Sequence, residues 1–464
     1  MSPYCKRMIS VWAICGAILA IAGMNTPSVL AQDDDIKGVS VQGISGQQLT
    51  RIAIPDFEAV DGRNGGLTPN FFRDIIYKDL EMLSDFERVK NQQSVEEAHK
   101  RDLGQKEINY DQWSRVEPGL AFVLKSRYWV EGGEITVESF LYDLVYRRSA
   151  FPGGTGLRYK KYPISDARKL AHRISDDIVQ AVFPDSVGIA RTRIAFVSQR
   201  GSQQYKEVFV MDADGQGVER LTFDSKGART PCWGLNATEI YYTSYKDVNP
   251  DLMGVQLGTR KTWFISRRTG LNYAPAWNPN NQRIVLTLGM DSNNEIYSMD
   301  RSGKTPTLQR LTHSAAIDTS PCWNPAGNMI AYNSDDSGTP QIYIMNADGT
   351  GKRRLTRMGS YNTAPSWSPK GDCIVFCGRD NEGTFNIFTV NADGTNWRQL
   401  TSGQGRNEDP CWAPDGRHIV FSSNRKGADQ IFIMRFDGAS QHQLTTEGLN
   451  QSPSWGPIPT EGAR

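Results

Sequence analysis

The chain is poor in the residues that carry out catalysis. Five histidines occur (His99, His172, His313, His418 and His442), and they share no common spacing. A Gly-x-Ser-x-Gly elbow is absent, which excludes the α/β-hydrolase arrangement. Gly303-Lys304-Thr305 imitates the end of a phosphate-binding loop, but Ser298 stands where the first glycine belongs and the segment reads as a hairpin turn. Asp212-Ala213-Asp214-Gly215 faintly resembles a calcium loop and lacks the distal glutamate. An excess of one charge is missing as well: 52 basic residues face 51 acidic ones, so nothing points to nucleic acid. No metal or organic cofactor is implied.

Usable cysteine is scarce. Of seven, Cys5 and Cys15 fall near the N-terminus, which leaves Cys232, Cys322, Cys373, Cys377 and Cys411. Cys373 and Cys377 would lie about 13 Å apart along one strand, too far for a disulfide. Cys232, Cys322 and Cys411 share one repeat position in alternate units, where a three-thiolate metal site is one reading. Ala276, Ser366 and Ser454 hold the same position elsewhere, so a small inward-facing residue explains it better. Long apolar runs are limited to Ile9–Ala22, behind Lys6-Arg7 and ahead of Val29-Leu30-Ala31. Residues 1–31 therefore read as a cleaved secretory signal rather than a membrane anchor. Residues 32–46, which include Asp33-Asp34-Asp35, read as a flexible polar arm.

What the chain has in abundance is repetition. Pro-x-Trp recurs at Trp233, Trp277, Trp323, Trp367, Trp412 and Trp455, with spacings of 43 to 46 residues. A period in the forties with several short strands per unit predicts a β-propeller. Each unit reads as a Pro-x-Trp strand, a second apolar strand, a third such as Gln341–Met345, an Asp-Gly turn and a fourth strand ending in Leu-Thr. The tryptophans read as packing between blades. The first unit lacks Pro-x-Trp, and the last ends just after Trp455. The final strand should therefore complete the first blade and close a six-bladed ring over residues 190–457. Residues 236–270 form the irregular unit, without an Asp-Gly turn. Residues 47–185 read as a separate mixed α/β domain. It has strands at Leu49–Asp56, Phe86–Lys90, Leu120–Val130, Glu134–Tyr146 and Leu157–Pro163. Its helices fall at Phe71–Leu83 and Ser165–Val182, with Ser165 as N-cap, and a short helical piece spans Ile108–Ser114. The fold class is thus mainly β, a C-terminal propeller preceded by a small α/β domain.

Three residues before each proline stand Asn272, Asp318, Asn362, Asn407 and Asn450, with Ala228 the exception. These positions form a ring at one mouth of the central channel. Side-chain capping of the local turn explains them, and so does a docking rim, since their neighbours (Leu271, Tyr273, Glu408 and others) differ in kind.

Together, the leader, the arm, the α/β domain with Asp111-Gln112-Trp113, the junction Arg191-Thr192-Arg193-Ile194-Ala195 and the six blades resemble the TolB family of the Tol–Pal system. The resemblance covers Asp35–Pro457. It implies a non-enzymatic periplasmic adaptor serving outer-membrane integrity and constriction during division. It also implies that the propeller mouth binds the peptidoglycan-associated lipoprotein Pal and that the arm binds TolA. Carried over by position, the partner-binding residues would be Leu271, Asn272, Tyr273, Asp318, Thr319, Asn362, Thr363, Asn407, Glu408 and Asn450, with Asp35 and Ile36 in the arm. The competing reading is a propeller hydrolase, lactonase or sugar-binding protein with its site in the channel. That reading needs several inward-facing Glu, Asp or His residues.

Overall fold

The structure is a computed structural model that describes residues 49–83, 85–103, 108–290, 293–303 and 305–460. The expected leader and arm, and with them Asp35 and Ile36, lie outside the described residues.

The N-terminal part is a seven-stranded sheet. Its strands are β1 (Thr50–Ala53), β2 (Glu58–Ala59), β3 (Phe86–Arg88), β4 (Leu120–Glu131), β5 (Glu134–Asp143), β6 (Arg148–Ser149) and β7 (Leu157–Pro163). The order is β3-β1-β4-β5-β6, with β2 added on β4 and β7 on β5. β1 runs parallel to β3 and β4, whereas β4 and β5 form an antiparallel hairpin. The helices are α1 (Phe71–Met82), α2 (Gln92–Arg101), α3 (Tyr110–Trp113) and α4 (Ala167–Val182). Strict alternation along β5 turns Ile135, Val137 and Leu141 to one face. There they meet Leu170, Ala171, Ile174 and Ile178 of α4, spaced by threes and fours as an amphipathic helix requires. The other face carries α2 and α3, packed around the fully buried Trp113.

Three expectations change here. α4 starts at Ala167 because a 3₁₀ turn over Ile164–Asp166 precedes it, so Asp166 rather than Ser165 is the N-cap. β5 ends at Asp143, not Tyr146, because the Asp143 carboxylate accepts the amides of Val145 and Tyr146 and starts a turn. α2 was not expected at all; Asn91 caps it by accepting the Ser94 amide at 3.2 Å.

The C-terminal part is a six-bladed propeller of four-stranded sheets. In blade 1 the last strand, Leu449–Trp455, is innermost and pairs with Arg193–Gln199, so the chain's end closes the ring. The inner strands of blades 2 to 6 are Ala228–Trp233, Asn272–Trp277, Asp318–Trp323, Asn362–Trp367 and Asn407–Trp412. Blade 2 has all four strands despite its irregular sequence. Its Gly254 leaves room for Trp263, whose ring would lie 2.5 Å from any added Cβ.

The Asp-Gly turns differ from expectation in one respect: only the glycine adopts positive φ, from 82° at Gly215 to 93° at Gly394. This glycine is also a contact point. A Cβ on Gly349 would sit 2.8 Å from the Leu311 carbonyl oxygen, and one on Gly438 would sit 2.7 Å from that of Leu400. In blades 1, 4 and 6 the turn therefore presses on the Leu-Thr of the blade before it.

The two parts share a core. Ile194, Phe196, Met211, Val420, Ile431 and Trp455 of blades 1 and 6 join the apolar cluster beneath α1 and α4. Arg417 donates to Asp85 at 2.7 Å and to Ser186 at 3.0 Å across the same boundary. The α/β part thus braces one side of the ring, at the end opposite the mouth.

Candidate functional site

Every inner strand has the same bulge. Two residues oppose one between Arg229 and Cys232, Tyr273 and Ala276, Thr319 and Cys322, Thr363 and Ser366, Glu408 and Cys411, and Gln451 and Ser454. The residue before each proline (Thr230, Ala274, Ser320, Ala364, Asp409 or Ser452) takes a left-handed φ between 44° and 53°. Along each strand the residue three before the proline is buried and the next two are partly open. The bulge therefore turns two consecutive side chains toward the lumen where a regular strand would hide one.

This pattern separates the expected rim into two sets. Asn272, Asp318, Asn362, Asn407 and Asn450 are all buried, with at most 2% of their surface exposed. They lock the fold from behind, and their side chains are not exposed at the mouth. In blade 4 the Leu355 amide donates to the Ile342 carbonyl, and the Ile342 amide donates to Thr356 Oγ1 at 2.9 Å. Thr356 then donates to Gln341 Oε1 at 2.7 Å, which also accepts from Asn362 of the next inner strand at 2.8 Å. The same relay runs through Thr401, Asn386 and Asn407, and through Thr445, Gln430 and Asn450. It ties the outer strand, the third strand and the next blade together, which explains why Leu-Thr and the pre-proline Asn recur at one period. In blade 3 the relay partner is Glu295, which faces Asp318. Burial pushes Asp318 up to about 6, opposed by hydrogen bonds to Ser334 and Thr312 and reinforced by the Glu295 charge.

The second set faces the mouth: Arg229, Tyr273, Thr319, Thr363, Glu408 and Gln451, all partly open. Leu271 lies in the loop entering the inner strand of blade 3 and is also partly open. Blades 3, 4 and 5 supply Tyr273, Thr319 and Thr363, a neutral arc. Blades 6, 1 and 2 supply Glu408, Gln451 and Arg229, a charged arc joined by groups the repeat pattern did not single out. Arg406 lies 3.4 Å from Glu408 and 3.6 Å from Asp429, and Lys206 donates to Gln451. Lys206 and Asp429 each stand immediately before the third strand of their blade, a shared position that Pro250, Asn294 and Pro340 hold elsewhere. Burial, and then the Arg229 charge, lower Lys206 to about 8.

Deeper in the channel lie Cys232, Cys322 and Cys411, partly open to the lumen. Burial pushes the thiols of Cys232 and Cys322 up to about 12, so neither is a ready thiolate. The three do not come within ligand distance of one another. Among the described residues, the one close group of three metal-capable side chains is Asp79, His172 and Asp214, at the boundary between α4 and blade 1. His172 Nδ1 lies 2.8 Å from Asp79, Ser175 donates to Asp79 at 2.7 Å, and Arg168 donates to Asp212 and Asp214. Burial disfavours the imidazolium, but hydrogen bonds to Asp212 and Asp79 outweigh it and raise His172 to about 10. A protonated imidazole has no lone pair for a metal, and Arg168 already neutralises Asp214. The group is an ionic tie between the two parts. A cleft of about 970 Å³ opens between α1, β3 and blade 6, lined by Tyr77, Phe86, Arg88, Arg435 and His442 among others, away from the mouth.

Comparisons with known proteins agree with this architecture. The family model described as the TolB beta propeller domain matches residues 184–459, and that of the TolB amino-terminal domain matches residues 39–150. The Tol-Pal system protein TolB of Desulfosudis oleivorans is 31% identical over 264 residues, 57% of each chain. A protein TolB homolog of Chlorobium chlorochromatii is 35% identical over 214 residues, 46% of each chain. The alignments thus span about half the length of these relatives. The crystal structure of TolB from Acinetobacter baumannii superposes with a TM-score of 0.73 at 24% identity, covering 88% of this chain and 96% of that one, a likeness of fold. Among the described residues no helix is long and apolar enough to cross a membrane. With the propeller model alone matched over more than half its length, the chain belongs to the TolB family.

Proposed function

We propose that the chain is a non-enzymatic, periplasmic component of the Tol–Pal system. It docks the peptidoglycan-associated lipoprotein Pal on the channel mouth and engages TolA through the arm at residues 32–46, in support of outer-membrane integrity and constriction during division. The observation that carries the docking reading is the division of labour on the inner strands. A buried Asn or Asp holds the inner strand in five of the six blades, and the next residue is left open and varies from blade to blade. A rigid scaffold with variable presented groups is suited to recognising a folded partner. The name of the Desulfosudis relative supports the assignment to this system.

Pal is the partner to test first. Thr319→Arg/Thr363→Arg places two bulky cations on the neutral arc without touching the buried locks. This variant should remain folded and lose at least tenfold in affinity for the soluble domain of Pal, measured by calorimetry. Unchanged affinity would remove the mouth as the docking site. Deleting residues 32–46 tests TolA binding. If the two partners are coupled, the effect of each on the other must be equal in free energy.

A further inference from the structure

We infer that docking at the channel mouth is proton-linked: covering the mouth makes the Glu408–Asp409 pair take up a proton. This rests on the docking reading above and concerns how that docking is regulated.

Blade 6 alone places two acids on consecutive open positions of the bulge. The equivalent pairs are Arg229-Thr230, Tyr273-Ala274, Thr319-Ser320, Thr363-Ala364 and Gln451-Ser452. Because Asp409 adopts φ 52°, both carboxylates leave the strand toward the lumen. Asp409 is held by the Ser452 hydroxyl at 2.9 Å and the Ser452 amide at 3.2 Å. Glu408 lies 3.4 Å from Arg406, which is shared with Asp429 at 3.6 Å. The groups facing the pair are Arg406 and Asp429 from the loops of blade 6 and Lys206 from blade 1, with Arg229 of blade 2 beyond Lys206. Two adjacent carboxylates with one shared guanidinium in ion-pair reach of Glu408 cannot both ionise cheaply in a partly dry site. Burial, and then the Asp409 charge, hold Glu408 up to about 7, with Arg406 opposing. The pair therefore sits near its midpoint at neutral pH before anything binds.

A docked partner removes the remaining water from the lumen side. Desolvation penalises the charged form, so the pair takes up a proton on docking, and that share of the linkage weakens binding as pH rises; the same effect on Lys206 works in the opposite sense, and Glu408→Gln separates the two. The limit is one proton, or tenfold in Kd per pH unit, and about three- to tenfold weakening is expected between pH 6.5 and 8.

The experiment is isothermal titration of the full chain with the soluble domain of Pal from the same genome. It runs from pH 6 to 8.5 in two buffers of different ionisation enthalpy, which counts the protons directly on the unaltered protein. It is repeated with Glu408→Gln. Proton uptake near pH 7.5 that falls away in E408Q supports the inference. A proton count that is the same in E408Q as in the unaltered chain, whatever its sign, overturns it while leaving the docking intact. No binding at any pH overturns the docking reading and this inference together.

Discussion

The neutral and charged arcs of the mouth share one backbone and differ in everything presented on it. Blades 3 to 5 and blades 6, 1 and 2 have the same bulge, the same left-handed residue before proline and the same pattern of burial. Blades 4 to 6 also share one uncharged relay behind the bulge. The charged arc, however, rests on blades 1 and 6, which the α/β part braces through a shared core and the His172 tie. Stability belongs to the repeated positions, and the docking proposed above would belong to the variable ones. The two can therefore be perturbed separately.

The largest expected effect comes from the indoles. Trp367→Ala on the neutral side and Trp455→Ala on the braced side should each cost about 3–5 kcal/mol, read from chemical denaturation. Trp455 should cost roughly 1 kcal/mol more, since its Nε1 donates to Thr192 Oγ1 at 2.7 Å. Equal costs would mean that the brace adds nothing.

His172→Ala tests the brace itself. Removing one partner of a buried ionic group is expected to cost on the order of 3 kcal/mol at neutral pH. The folded pKa lies above the unfolded one, so this contribution is complete below about pH 6.5 and is lost as pH rises toward 10. The mutant's deficit should shrink over that window.

The relay gives a smaller effect shared by both sides. Thr356→Val and Thr445→Val each leave a buried amide and a buried amide oxygen short of a partner, at a cost of about 1–3 kcal/mol. The two values should agree closely, and a clear difference would show that the arcs do not share a scaffold.

The smallest effect has the opposite sign. Asp318 occupies an Asn position, and its raised pKa means that the folded state prefers the proton. That preference destabilises progressively as pH rises from about 4 through 6. Asp318→Asn should therefore stabilise by about 1–2 kcal/mol at pH 8, with the gain fading at pH 4. A gain independent of pH would point to something other than this carboxyl.

The periodic features were legible in the sequence because they recur. Pro-x-Trp, Leu-Thr and Asp-Gly gave the blade count and the closing strand, each tied to a contact that recurs in most blades. The Asn ring was found for the same reason, but period alone cannot distinguish a residue repeated to hold the scaffold from one repeated to meet a partner. Burial decides it for Asn272, Asp318, Asn362, Asn407 and Asn450. The charged arc was only half legible. Glu408 and Arg229 lie on the inner strands, but Lys206 and Asp429 reach it from the position before the third strand, where the residue type varies and Pro250, Asn294 and Pro340 stand in other blades. α2 was missed because its polar face dominates its composition, with Val95 and Ala98 as its apolar contribution to the core.

The pairing of Leu449–Trp455 with Arg193–Gln199 has a kinetic consequence. It joins positions as far apart in sequence as Trp455 and Ile194, and nothing covalent secures it. Contacts of such separation form late. Until they do, the molecule is an incomplete arc with the backbone of Arg193–Gln199 bare along one edge, ready to zip onto another chain. A newly made copy is therefore most vulnerable to clumping in the interval before its last strand pairs.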